Sequence, residues 1–177
     1  LISLVALYLT YLIANIEASL YLFAGIFTYG IVYTVWLKRK TWMNIVIGGL
    51  AGSFAVLVGS AATGDTFSPP ALILAVVLFL WTPPHFWALS ISFKDDYAKA
   101  DIPMLPVVST IKVTSHAIFW HTLILVLLSF TLVFYSMHWF YLIFAASGGL
   151  YFLYASFQLL REQNSFWAKK TFFASII

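Results

Sequence analysis

Three of the chain's six carboxylates, Asp95, Asp96 and Asp101, fall within seven positions, and Lys94 and Lys99 are interleaved with them. Carboxylates this close repel one another unless a cation neutralises them. A hard divalent cation held by a few carboxylates plus substrate phosphates is the usual Mg²⁺ arrangement, and the two lysines are placed to touch phosphate oxygens. The competing structural reading is a solvated loop whose charges pair locally. His85 adds weight to the chemical one. It follows Pro83-Pro84 inside an apolar run, about 15 Å of helical rise from the aspartates. It is eleven residues from Asp96, close to three turns, so the two share a face if the helix continues. The prolines lack N–H donors and deprive the carbonyls of Phe79 and Leu80 of helical partners, so a break is expected there. Such breaks survive in membranes where the backbone lines a cavity or packs on protein. An ionisable residue at that depth is a functional candidate by default; the alternative is a neutral histidine bonded to a neighbouring helix. His116 and His121 are five apart, off a shared face, and His138 beside Trp139 suits an interface.

The elements that must position these residues follow from composition. Of 177 residues, 63% are hydrophobic and 8% charged, against about 25% charged in a soluble domain. A water-exposed surface cannot be built from this composition, and a polytopic transmembrane helical bundle, all-α, is the class that fits. No cysteine is present, which excludes disulfides and thiolate metal sites. The net charge of +3 does not point to nucleic acid, because topology accounts for the basic residues. Seven apolar segments are expected, over 1–14, 20–37, 44–63, 70–93, 113–134, 139–160 and a last one running to Ile177, in one transmembrane domain. The fourth is followed by a loop from Lys94 to about Lys112, the fifth by a tight turn at 135–138, and the sixth by a polar loop over 161–170. The first and last segments read as truncated, and the chain as a piece of a longer protein. All nine basic residues fall in alternate loops: Lys38, Arg39 and Lys40; Lys94, Lys99 and Lys112; Arg161, Lys169 and Lys170. The positive-inside rule places those loops in the cytoplasm, with the acidic loop among them. Trp36, Trp42, Trp120, Trp139 and Trp167 lie near segment ends, several where an interfacial belt would hold them. Asn44 opens the third segment, as a helix cap or a functional residue. Gly48 and Gly52, with Gly49 and Ser53 offset by one, have the small-xxx-small spacing that lets helices approach closely. The basic triplet at 38–40 sets orientation and can also attract a phosphate.

The stretches LKRKTWMNIVIGG, TPPHFWAL and KDDYAKADIPMLPVVS together resemble the protohaem IX farnesyltransferases, or haem O synthases, of the UbiA-type intramembrane prenyltransferases. The resemblance runs from about Tyr33 to Val108. It implies a nine-helix all-α protein, of which this chain holds the third helix to part of the ninth. It also implies the reaction. Farnesyl diphosphate ionises with Mg²⁺ help, the allylic cation alkylates the 2-vinyl group of haem B, and water captures the resulting cation to give haem O. On that basis Asp95 and Asp96 hold the metal, with Lys99 beside them as a catalytic residue. Lys38, Arg39, Asn44, Lys94 and Asp101 bind substrate, the basic ones stabilising the diphosphate charge. His85 faces a deeper pocket as an axial ligand or propionate partner of haem. The implied setting is a cell membrane, or the inner mitochondrial membrane in a eukaryote, with haem A synthase as a partner.

Three departures stand out. The family's earlier Asn-x3-Asp-x3-Asp motif is not in this chain. Residues 51–60 read AGSFAVLVGS where many members have a Pro-Pro pair and a tryptophan. Asp101 stands where many relatives have glycine. Two rival readings are a UbiA-type enzyme acting on a quinone precursor, and a proton-coupled transporter using His85 and the aspartates as a relay. The transporter reading expects repeated halves with two broken helices, and only one segment here carries a proline pair.

Overall fold

A computed structural model describes residues 1–135 and 139–177; the expected turn over 135–138, and His138 with it, lie mostly outside the described residues. All regular structure among those residues is helical: α1 (Ile2–Ile13), α2 (Ile16–Phe27) continuing as a π-helix (Thr28–Leu37), α3 (Asn44–Gly48), α4 (Leu50–Ala62), α5 (Pro69–Ser92), α6 (Lys94–Lys99), α7 (Leu105–Val108), α8 (Ile111–Phe130) running into a 3₁₀ turn (Thr131–Tyr135), α9 (Trp139–Glu162) and α10 (Ser165–Ala174). Among the described residues, five apolar stretches are long enough to cross a membrane: Ile16–Leu37, Asn44–Ala62, Pro69–Ser92, Ile111–Tyr135 and Trp139–Glu162. The helical starts carry local signals. Asn15, Thr110 and Asn164 each accept a hydrogen bond from the backbone N–H three residues on, at 2.8, 3.2 and 3.0 Å, which satisfies one of the orphan donors of a first turn.

The bundle is built around α5, which packs against α3, α4, α7, α8 and α10. Its buried positions are largely small or polar: Ala71, Ala75, Thr82, Pro83, Pro84, Ala88 and Ser90, beside the large Trp87 and Ile91. Small side chains suit helices that meet inside a membrane, where association depends on close packing rather than on water. The glycine spacing noted in the sequence does this work. A Cβ on Gly49 would lie 3.1 Å from Thr82 Cβ, and one on Gly52 would lie 3.3 Å from Leu78. Ser53 Oγ donates to the Ala75 carbonyl at 2.8 Å, tying α4 to the backbone of α5. Gly48 faces elsewhere, toward the Tyr33 ring of the π-helix, which a Cβ would meet at 2.8 Å.

Several boundaries differ from expectation, for physical reasons. Helix α5 runs unbroken through Pro83 and Pro84. Both prolines are wholly buried, and packing on neighbouring helices holds the helix where its own hydrogen bonds are missing. The interruption comes instead at Phe93 (φ −119, ψ 31), which ends α5 and starts α6. His85 and Asp96 therefore do not ride on one continuous helix. The expected loop from Lys94 to Lys112 contains two short helices, α6 and α7, and the polar loop after α9 shrinks to Gln163 and Asn164. The second segment begins earlier, at Ile16, and the third is divided at Gly49.

Alternate connections gather at opposite ends of the bundle. At one end, Asn15 Nδ2 donates to the Ala61 carbonyl at 2.6 Å and Thr66 Oγ1 donates to Glu17, joining the first and third connections. At the other, Arg39 and Lys40 share a groove with Ala98 and Asp101, joining the second and fourth. The sixth reaches that same end, because Leu159 and Ala168 pack in one cluster with Met104 and Leu105.

Candidate active site

The acidic element is built from three local devices. Asp95 and Asp96 occupy the first turn of α6, where negative charge is favoured by the helix dipole, and both are exposed. Tyr97 turns the other way and packs on the core formed by Ile45, Trp87 and Leu105; burial pushes its phenol pKa up, so it stays protonated and able to donate. The helix then closes on Asp101. Asp101 N–H donates to Ala98 O at 3.1 Å and Ile102 N–H to Tyr97 O at 3.0 Å, with Asp101 at φ +54. That is a Schellman closure, whose left-handed position usually takes glycine.

The basic turn faces this element. Arg39 and Lys40 line one side of an open groove of about 390 Å³, and Ala98, Asp101, Ile102, Pro103 and Val107 line the other. Asn44, with no solvent exposure, holds the turn from inside: its Nδ2 donates to the Lys38 carbonyl at 3.0 Å. Its Oδ1 has no hydrogen-bond partner. Asn44 is the first residue of α3 rather than its cap, and it acts on the backbone of the turn. The turn is entered through the π-helix, whose last bond runs from Lys38 N–H to Tyr33 O at 2.8 Å. Within it Tyr29 and Tyr33 lie with ring centres 5.7 Å apart and planes tilted by 33°. These two tyrosines, with Gly48, Thr82 and Phe86, line a small cavity of about 170 Å³ just inside the bundle.

His85 occupies a second, more apolar place. Its ring stacks on Trp81 at 4.3 Å and lies 4.6 Å from Phe172 and 5.0 Å from Phe86. Its Nδ1 is 2.7 Å from Ser175 Oγ at the end of α10, and Trp81 Nε1 donates to the Ser175 carbonyl at 2.8 Å. His116 and His121 are engaged locally, each Nδ1 donating to the carbonyl four residues back at 2.8 Å.

The structure thus brings Arg39 and Asp101 to one groove, adds Lys40 to them, and fixes Lys38 by its backbone. Asp95, Asp96, Lys94 and Lys99 stand together on the exposed helix α6, and His85 stands apart toward α10. Among the described residues no three His, Asp or Glu side chains converge as a complete metal cage. Two adjacent, exposed carboxylates nevertheless match Mg²⁺, which takes one or two carboxylates and keeps its other positions for water and substrate phosphate. Tyr33, Tyr97, Phe86 and Ser175 were not among the site residues expected from the sequence. The nearest signal for the first two was their flanking of charged turns; Ser175 carried none.

The family model for UbiA prenyltransferases matches residues 1–177. The chain belongs to the UbiA prenyltransferase family. Among relatives, "Protoheme IX farnesyltransferase 2" of Paramagnetospirillum magneticum is 55% identical over 93% of this chain and 57% of its own length. "Protoheme IX farnesyltransferase" of Gloeobacter violaceus is 46% identical over 85% of this chain and 50% of its own length. The protein of that name from Leptospira interrogans is 41% identical over 92% and 57%. This UbiA chain therefore spans about half the length of the curated relatives it matches. No solved structure matches it. Family membership and five membrane-length helices make it a multi-pass membrane protein.

Proposed function

We propose that the protein transfers a farnesyl group from farnesyl diphosphate to the 2-vinyl group of protohaem IX, forming haem O. The observation that carries this reading is the groove in which Arg39 and Lys40 face the acidic element at one end of an otherwise apolar bundle. The relatives' name, protohaem IX farnesyltransferase, supplies the substrates. Asp95 and Asp96 would hold Mg²⁺, whose charge assists departure of the diphosphate. Lys94, Lys99, Lys38, Arg39 and Lys40 would favour the charge developing on the leaving group, at an end of the bundle where water can take up the released diphosphate. The farnesyl chain and the porphyrin belong deeper, among aromatic side chains, where water is excluded until the new carbon–carbon bond has formed. His85 is the group of that layer that can meet the porphyrin. The proposed setting is a cell membrane, or the inner mitochondrial membrane in a eukaryote, with the basic connections in the cytoplasm or its equivalent. Haem A synthase is the proposed consumer of the product.

The test uses the full-length protein with Mg²⁺ and farnesyl diphosphate, offered haem B or a hydroxybenzoate quinone precursor in parallel. Mass spectrometry should show a haem carrying one farnesyl group and one hydroxyl group. A prenylated quinone precursor with unmodified haem would overturn the assignment in favour of the quinone-type enzyme. The transporter reading finds no support in the fold, since α5 is not broken at its prolines.

A further inference from the structure

The two nitrogens of His85 are not equivalent. Ser175 Oγ lies 2.7 Å from His85 Nδ1 and 2.6 Å from the Phe172 carbonyl. A carbonyl has no proton to give, so the single hydroxyl proton of Ser175 is committed to Phe172 O. The proton between Ser175 and His85 must then come from the imidazole, which makes Nδ1 the N–H nitrogen and leaves a lone pair on Nε2. Among the described residues no hydrogen bond to Nε2 is formed. The ring is held flat by Trp81 at 4.3 Å and flanked by Phe172 at 4.6 Å. Trp81 also grips the Ser175 carbonyl at 2.8 Å, so histidine and serine are positioned by one shared contact. An imidazole whose far N–H is anchored to an oriented acceptor is the arrangement that prepares a histidine to bind metal, because it fixes tautomer and direction and raises ligand basicity.

We infer that Ser175 is the positioning residue that fixes His85 as the Nδ1–H tautomer, so that Nε2 is presented as an electron-pair donor to the iron of the porphyrin acceptor. The inference rests on haem being the acceptor, and it names the bond by which the acceptor is oriented. The bond is a coordination bond from Nε2 to iron. No proton moves and no oxidation state changes.

Full-length protein in lipid bilayers, labelled with ¹⁵N-histidine, tests the tautomer without any substrate. The His85 signals, assigned by their loss in His85→Gln, should show a protonated Nδ1 and a bare Nε2. A protonated Nε2 in the unmodified protein overturns the inference, whatever the activity. Optical titration with haem B then tests the consequence. Ser175→Ala should weaken haem binding roughly tenfold and shift the haem absorption. Ser175→Thr, which keeps the hydroxyl, should restore both. Farnesyl diphosphate binding should be the same in all three proteins. Ser175→Ala keeps the backbone carbonyl that Trp81 holds, so the junction of α5 and α10 survives. An unchanged haem spectrum in both Ser175→Ala and His85→Gln would overturn the iron contact even with the tautomer as expected. Failure of the unmodified protein to make any farnesylated haem would instead remove the acceptor assignment itself, and the two failures are told apart by that control.

Discussion

Asp96 and Asp101 are five positions apart, yet the structure gives them different work. Asp96 is exposed in the first turn of α6, free to take a cation. Asp96→Asn keeps shape and removes charge, so turnover of the full-length enzyme should fall on the order of 10²-fold, as when one preorganised charge stabiliser is removed. Raised Mg²⁺ should recover part of it, and normal turnover at limiting Mg²⁺ would take the metal role away. Asp101 holds a left-handed turn at φ +54 beside Arg39 and Lys40, and we propose that this turn, rather than the substrate binding the resemblance implies, is its task, since a carboxylate there would repel diphosphate. Asp101→Gly should therefore keep both thermal stability and turnover. Asp101→Ala should lose about 1 kcal/mol, because a Cβ without a local hydrogen-bonding group is strained in that conformation. Loss of turnover in a stably folded Asp101→Gly would show that the carboxylate has a direct task. For His85, replacement by Ala should change haem affinity or its optical spectrum and leave farnesyl diphosphate binding untouched; an unaltered titration would return the residue to packing. The charged candidates were legible because charge is scarce in this chain and conspicuous wherever it gathers. Ser175 was not. A serine in an apolar helix is ordinary, and only folding brings it to a histidine 90 residues earlier.

At the scale of elements, the α4–α5 contact depends on missing side chains. Gly49 has Thr82 Cβ at 3.1 Å from where its own Cβ would stand, whereas Gly59 has nothing within 4 Å. Gly49→Leu should therefore lower the thermal midpoint of the detergent-solubilised protein, and Gly59→Leu in the same membrane segment should leave it nearly unchanged. Equal losses would show that the cost is helical propensity or hydrophobicity and not the contact. That contact could be read from the glycine and serine spacing, since periodicity along one helix is a property of sequence. The course of α5 could not. Pro83 and Pro84 announce a local loss of hydrogen bonds, but whether a helix survives that loss depends on what surrounds it, and here both rings are buried. The real bend at Phe93 and the π-helix before the basic turn arise from packing and carry no residue signature of their own.

For the whole molecule, composition and the alternation of basic connections revealed a multi-pass bundle, and the fold gathers alternate connections at opposite ends as that pattern requires. Which end faces which compartment is a separate matter with its own test. A reporter fused after Lys112 should signal the cytoplasm and one fused after Asp65 the outside; reversed signals would put the proposed diphosphate groove on the wrong side. The junction of α5 with α10 has a further consequence, in the time domain of biosynthesis. Trp81 and His85 find their partner Ser175 only 94 and 90 residues later in the chain. At ribosomal speeds of about 5 to 20 residues per second, roughly 5 to 20 s pass between synthesis of the histidine and synthesis of the serine. Throughout that interval α5 is already made while its histidine lacks its acceptor, so a nascent chain arrested before Ser175 should bind haem more weakly than the finished one. Completion of α10 is the event that orients the histidine.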